Sequence, residues 1–169
     1  MTISLYAASA PVFKQMLGGI SDILKKAEEH AAAKNIDQAV YLQARLYPDM
    51  FPLVRQVQIA CDFARSAVAR LSGADIPKYE DGQQTFAELQ TLVTQSLAFI
   101  SAVTPAQIDG QESREIITRP GTPNERRFTG QSYLLTYALP QFFFHVTTTY
   151  AILRHNGIEI GKKNFMGAA

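Results

Sequence analysis

The sequence predicts an all-α four-helix bundle forming a single domain over residues 1–169. Three observations predict it: four long segments with apolar residues spaced by three and four, helix start and stop signals at their ends, and a composition able to fill a core. Hydrophobic residues make up 47% of the chain and charged residues 18%, the latter below the roughly 25% common in globular domains.

In the first segment Phe13, Leu17, Ile20, Leu24 and Ala27 share one helical face. Pro11 suits its first turn, because the ring sets φ and the missing N–H has no helical partner there; Lys34-Asn35 closes it. Asp37 to Leu46 reads as a helical turn. The second helix is expected from Met50 to Ser72, with Val54, Val57, Cys61, Ala64, Val68 and Leu71 inward, Asp49 as N-cap and Gly73 as stop. Thr85 and Glu88 open the third as a capping box, and Phe86, Leu89, Val93, Ile100 and Val103 face inward until Thr104-Pro105.

Arg114 to Thr118 and Arg126 to Thr129 pair as a small β-hairpin around Pro120-Gly121, inserted before the last helix. That helix is expected from Gln131 to His155, bent at Pro140, with two adjacent stripes: Leu135, Leu139, Phe142, Val146 and Leu153 beside Ala138, Phe142, His145, Thr149 and Ile152. Asn156-Gly157 stops it, with Ile158 placed for the apolar contact of a Schellman end. Beyond Gly157 no periodicity remains, and the tail containing Phe165 and Met166 either docks or frays.

Charge narrows the partners. Sixteen basic and fifteen acidic residues leave a net +1, too little to steer the chain to nucleic acid or an anionic membrane, and neither is expected. Met1 to Ala10 lacks the basic start and apolar run of a secretory signal, and no segment approaches about 18 uninterrupted apolar residues. A single cysteine excludes an internal disulfide and a paired-thiolate metal site, so a cytoplasmic, reducing location is expected. Low charge and the run Phe142-Phe143-Phe144 point to a homodimer.

Chemistry-bearing residues are sparse. The three histidines stand apart at His30, His145 and His155, without a His-Glu-x-x-His or Glu-x-x-His spacing. His145 lies on a core-facing stripe near Thr148 and Thr149, so its ring needs a partner, and Gln58 or Asp62 of the second helix are the candidates. Either a neutral histidine bonded within the core or a ligand contact satisfies this pattern. His155, beside Arg154, suits the negative end of the helix dipole, and His30 reads alike. Cys61 falls mid-stripe and reads as core packing. Arg126-Arg127-Phe128 reads as a solvated strand face, and Gly157 to Gly161 lacks phosphate-loop spacing and a helix to follow it. In the segment from Ala44 to Pro52, Arg45 and Asp49 can pair at the mouth of the bundle and contribute to a ligand site, or Asp49 can simply cap.

The strings Ala44-Arg-Leu-Tyr-Pro-Asp-Met-Phe-Pro-Leu53, Lys78-Tyr-Glu-Asp81 with Thr85-Phe-Ala-Glu88, and Phe143-Phe-His-Val-Thr147 to Leu153-Arg-His-Asn-Gly157 resemble an uncharacterised bacterial family over nearly the whole chain. It is the domain-of-unknown-function family numbered nineteen ninety-three, grouped with the DinB/YfiT-like superfamily. The resemblance implies a DinB/YfiT-like four-helix bundle, often dimeric, and in many members a divalent metal held by one histidine of the second helix and two of the last, four residues apart. Here His145 stands with Thr149 or Gln141 at the partner position, and the second helix offers Gln56, Gln58 and Asp62.

The leading expectation is a small-ligand-binding or non-catalytic bundle without that three-histidine site and without a cofactor. The alternatives are a metal-dependent enzyme, thiol- or small-group-transferase-like, using His145 with oxygen ligands, and a homodimeric structural or interaction module.

Overall fold

A computed structural model describes residues 3–167, so the four outermost positions of the expected 1–169 domain lie outside the described residues. Four long helices form the bundle: α1 (Ala10–Ala33), α3 (Leu53–Ser72), α4 (Phe86–Ala102) and α7 (Leu139–His155). Short helices α2 (Gln38–Leu42), α5 (Pro105–Ile108), α6 (Gly130–Tyr133) and α8 (Lys162–Met166) fill the connections, with strands β1 (Glu115–Thr118) and β2 (Arg126–Thr129) before α6. Each of α1 and α3 packs on both α4 and α7. The four therefore close a ring around one core.

The amphipathic faces drive this closure. Phe13, Leu17 and Leu24 of α1, Val57, Cys61 and Val68 of α3, Phe86 and Leu89 of α4, and Phe142 of α7 are all fully buried. Phe142 sets its ring edge against Phe13 at 4.8 Å and 86°. Cys61 is pure packing: burial pushes its thiol up to about 12, out of reach of reactive chemistry.

Ends and connections follow local chemistry. At α4 the Thr85 hydroxyl accepts from the Glu88 amide (3.1 Å) while Glu88 accepts from the Thr85 amide (3.0 Å), completing the capping box. Gly73 ends α3 in the left-handed conformation, φ 78°. The antiparallel hairpin pairs Glu115 with Thr129 and Thr118 with Arg126.

Four local expectations need correction. Asp49 does not cap α3: the helix starts three residues later than expected, after Pro52, because a proline drives the residue before it out of helical geometry. The last helix is not a single rod bent at Pro140. A π-turn over Leu134–Ala138 joins α6 to α7, the Leu139 amide bonding back to Leu134. The wider turn stands where Pro140 offers no N–H and would press on the carbonyl four residues back. It also turns Leu134 inward and leaves Leu135 49% exposed, against the expected stripe. Finally, a helix does follow Gly161, against expectation: α8 packs on α1, where Gln15 donates to the Met166 carbonyl (2.9 Å), and its Phe165 ring meets Tyr150 of α7, so of the two outcomes expected for the tail it docks.

Candidate functional site

A cavity of about 430 Å³ opens between the N-terminal half of α3 and the π-turn and start of α7. Its walls follow helical periodicity. Gln56, Ile59 and Phe63 step along one face of α3, and Tyr137, Gln141 and His145 step by four along the opposite helix. Phe51 and Phe144, each 54% exposed, form the apolar rim, and Asp49 and Arg119 bring charge to it.

His145 is the polar centre of this cavity. Its side chain is buried, its ring lies parallel to Phe63 (14°, centroids 6.0 Å apart), and the edge of Phe144 meets it at 5.2 Å. The expected partners were Gln58 or Asp62; the structure uses Gln56, two residues before Gln58 and on a different face of α3. Gln56 Nε2 donates to the Phe51 carbonyl (3.0 Å), which orients the amide so that Oε1 faces His145 Nδ1 at 2.7 Å. An amide oxygen can only accept, so Nδ1 carries the proton and Nε2 keeps a free lone pair. Burial first, and the Arg55 charge second, push the imidazole down from 6.5 to about 4, so the ring is neutral at pH 7.

The other expected site residues are dispersed. Gln58 bonds Gln83 (2.8 Å) and Arg55 (3.1 Å), fastening the loop that follows α3. Asp62 pairs with Arg65, and its carboxyl is raised, chiefly by burial and against the pull of Arg65. Thr149 is buried beneath His145 and donates to its backbone carbonyl (2.9 Å), so its hydroxyl is turned back along the helix. Arg45 does not pair with Asp49; its guanidinium donates to the carbonyls of Met50 (3.2 Å) and Pro48 (3.4 Å), holding the turn that carries Asp49 to the cavity. Asp49 and His145 thus share a wall, while Arg45 supports it from behind.

The superfamily's metal does not fit these residues. His30 sits at the end of α1 against Tyr41, and His155 is exposed at the end of α7, far along the chain from His145. Of the expected oxygen donors, the Gln56 oxygen is engaged by the Nδ1 proton and the Thr149 hydroxyl donates to the backbone, which leaves Asp49 and Gln141 in the cavity wall with a single histidine. Among the described residues no group of three or more His, Cys, Asp or Glu side chains is placed to hold a metal ion. No described helix is long and apolar enough to cross a membrane.

Sequence reasoning passed over Phe63, Tyr137 and Arg119. A signal existed for part of this set: Gln56, Ile59, Phe63, Ser66 and Arg70 repeat at three-and-four spacing beside the core stripe of α3, a second face with aromatic and polar members.

A family model described as Domain of unknown function (DUF1993) matches residues 5–166. Among solved structures, the crystal structure of a DinB family member protein from Shewanella denitrificans is similar to this chain: 39% identical, covering 98% of this chain and 93% of that one, with a TM-score of 0.90. No curated protein matches the chain.

Proposed function

Because the chain belongs to the DUF1993 family and shares the bundle of a DinB family member, yet lacks a three-histidine metal set, we propose that it binds a small, largely apolar molecule in the cavity around His145. The observation that supports this reading is the fixed tautomer: Gln56 holds the Nδ1 proton and leaves an Nε2 lone pair among Phe63, Tyr137 and Phe144. A neutral acceptor within aromatic walls suits a ligand that offers a hydroxyl or amine proton from an apolar body. The volume falls within the usual range of small-molecule sites, roughly 300–1,000 Å³.

The test uses 3-phenylpropanol, which joins a phenyl body to one hydroxyl donor, titrated into isotope-labelled protein. Amide shifts are expected around Gln56, Phe63 and His145, with a dissociation constant on the order of millimolar or below. His145→Phe keeps the aromatic volume but removes the acceptor, and should weaken binding about fivefold or more. Shifts confined to other parts of the bundle, or equal affinity in the variant, would sink the reading.

A second copy of the chain is the partner we propose for a separate apolar hollow of about 450 Å³ bounded by Leu5, Ala8, Leu134 and the exposed Ile3 and Leu135. Ile3 and Leu135 are 81% and 49% exposed, and an apolar patch of this kind favours association. Sedimentation at micromolar concentration should give twice the chain mass for the parent and the single mass for Leu135→Glu; a monomeric parent contradicts it. A reducing, cytoplasmic setting accords with the same reading, since the lone Cys61 is buried and bonded to no other sulfur.

A further inference from the structure

Beside the His145 cavity lies a smaller chamber of about 180 Å³ between α3 and the hairpin, and the two share Phe63, Tyr137 and Arg119 in their walls. Ser66, Arg70 and Thr118 complete the part that matters here.

Thr118 stands out chemically. In β1 the inward positions are Ile116 and Thr118, 3% and 4% exposed, so alternation puts a threonine where a valine of the same shape would serve packing. Its Oγ1 is buried without a hydrogen-bond partner among the described residues. Leaving a hydroxyl in that state is unfavourable, whereas a valine there would cost nothing in hydrogen bonding.

The next residue carries a second unfavourable feature. Arg119 has φ 50°, in the left-handed region where side chains other than glycine and asparagine are strained. That strained backbone carries Arg119, which lines the wall common to both cavities. Neither Arg119 nor Arg70 forms a salt bridge among the described residues: Arg70 donates to the Tyr133 hydroxyl (3.2 Å) and is otherwise directed to its own helix. Asp62 also lines the chamber, but Arg65 neutralises it. The local balance is therefore positive, with one unsatisfied hydroxyl donor beneath it.

We propose that this chamber binds the oxyanion head, carboxylate or phosphate-like, of the small molecule whose apolar body occupies the His145 cavity. The inference rests on that cavity being a ligand site and adds the ligand's class: an amphipathic acid. Thr118 Oγ1 donates to one oxygen, and the Arg119 and Arg70 guanidinium groups face the charge, the pattern that distinguishes an anion from a neutral polar group. The shared wall of Phe63 and Tyr137 lets head and body belong to one molecule.

Three probes with one phenyl body separate the outcomes: 3-phenylpropionate, 2-phenylethylphosphonate and neutral 3-phenylpropanol, each titrated into the full chain. At least one of the two anions should bind about tenfold tighter than the alcohol, and which one shows the head the chamber prefers. Thr118→Val keeps the shape and removes the hydroxyl; Arg119→Gly removes the guanidinium and relieves the positive φ, so neither should hinder folding. Both variants should bring anion and alcohol to within about twofold of each other, and Thr118→Val, a residue outside the wall of the His145 cavity, should leave alcohol affinity unchanged. Equal binding of all three probes to the parent, or an anion preference that survives both substitutions, overturns the anion chamber while the His145 cavity stands. If no probe binds the parent, the cavity reading fails and takes this inference with it.

Discussion

Replacing Phe142 with alanine is expected to destabilise the folded chain by about 3–5 kcal/mol, lowering the melting temperature by roughly 10 °C or more. The ring is fully buried in the first turn of α7 and meets Phe13 edge-on, so truncation removes both its burial and the contacts of its neighbours. Phe13→Ala should cost a comparable amount. The double variant should lose less than the two single losses added together, because each single change already forfeits the shared contact. Urea unfolding of the four proteins measures this directly; a loss below about 1 kcal/mol for Phe142→Ala would show that the ring does not sit in a close-packed core.

The second large effect is a dependence on acidity. His145 is neutral when buried and its imidazole is pushed down from 6.5 to about 4, so above pH 6.5 the ring is uncharged in both the folded and unfolded chain and contributes no penalty. Below 6.5 the unfolded chain takes up a proton that the folded one refuses. Stability through this residue is therefore lost progressively as pH falls from 6.5 to 4, by about 2–3 kcal/mol in all, and little changes further below. Comparing unfolding free energies of parent and His145→Phe across that window isolates the effect from every other carboxylate and histidine. Parallel pH profiles for the two proteins would mean that the imidazole titrates normally.

How far these features could be read in the sequence depended on the range of the interactions behind them. The bundle was legible because burial of a helical face leaves a local imprint: Phe13 to Ala27 and Val57 to Leu71 repeat at three and four, and the Thr85–Glu88 box encodes its own hydrogen bonds. The hairpin was legible through its turn residues. The start of α3 was misplaced since Asp49 and Pro52 both carry plausible start signals, and only the chain path before Pro52 decides between them. His145 was identified as the polar centre, but its partner was not. Gln56 and Gln58 sit on different faces of α3, and which one meets α7 depends on how the two helices are rotated against each other. Arg119 was invisible for a related reason: its importance comes from a positive φ and from a loop folded over α3, neither of which leaves a periodic trace.

The π-turn also acts as an angular correction. Along an ordinary helix, positions four apart creep sideways by about 40° per step, so a line of such residues winds off any flat wall. The wider turn at Leu134–Ala138 creeps the other way. Tyr133, whose hydroxyl accepts from Arg70 of α3, thereby keeps its ring beside that of Tyr137, 5.9 Å away, and Tyr137 leads on to Gln141 and His145 in the cavity wall. The wider turn thus works as a vernier, letting Tyr133 of one helix and His145 of the next both reach α3, at Arg70 and at Gln56.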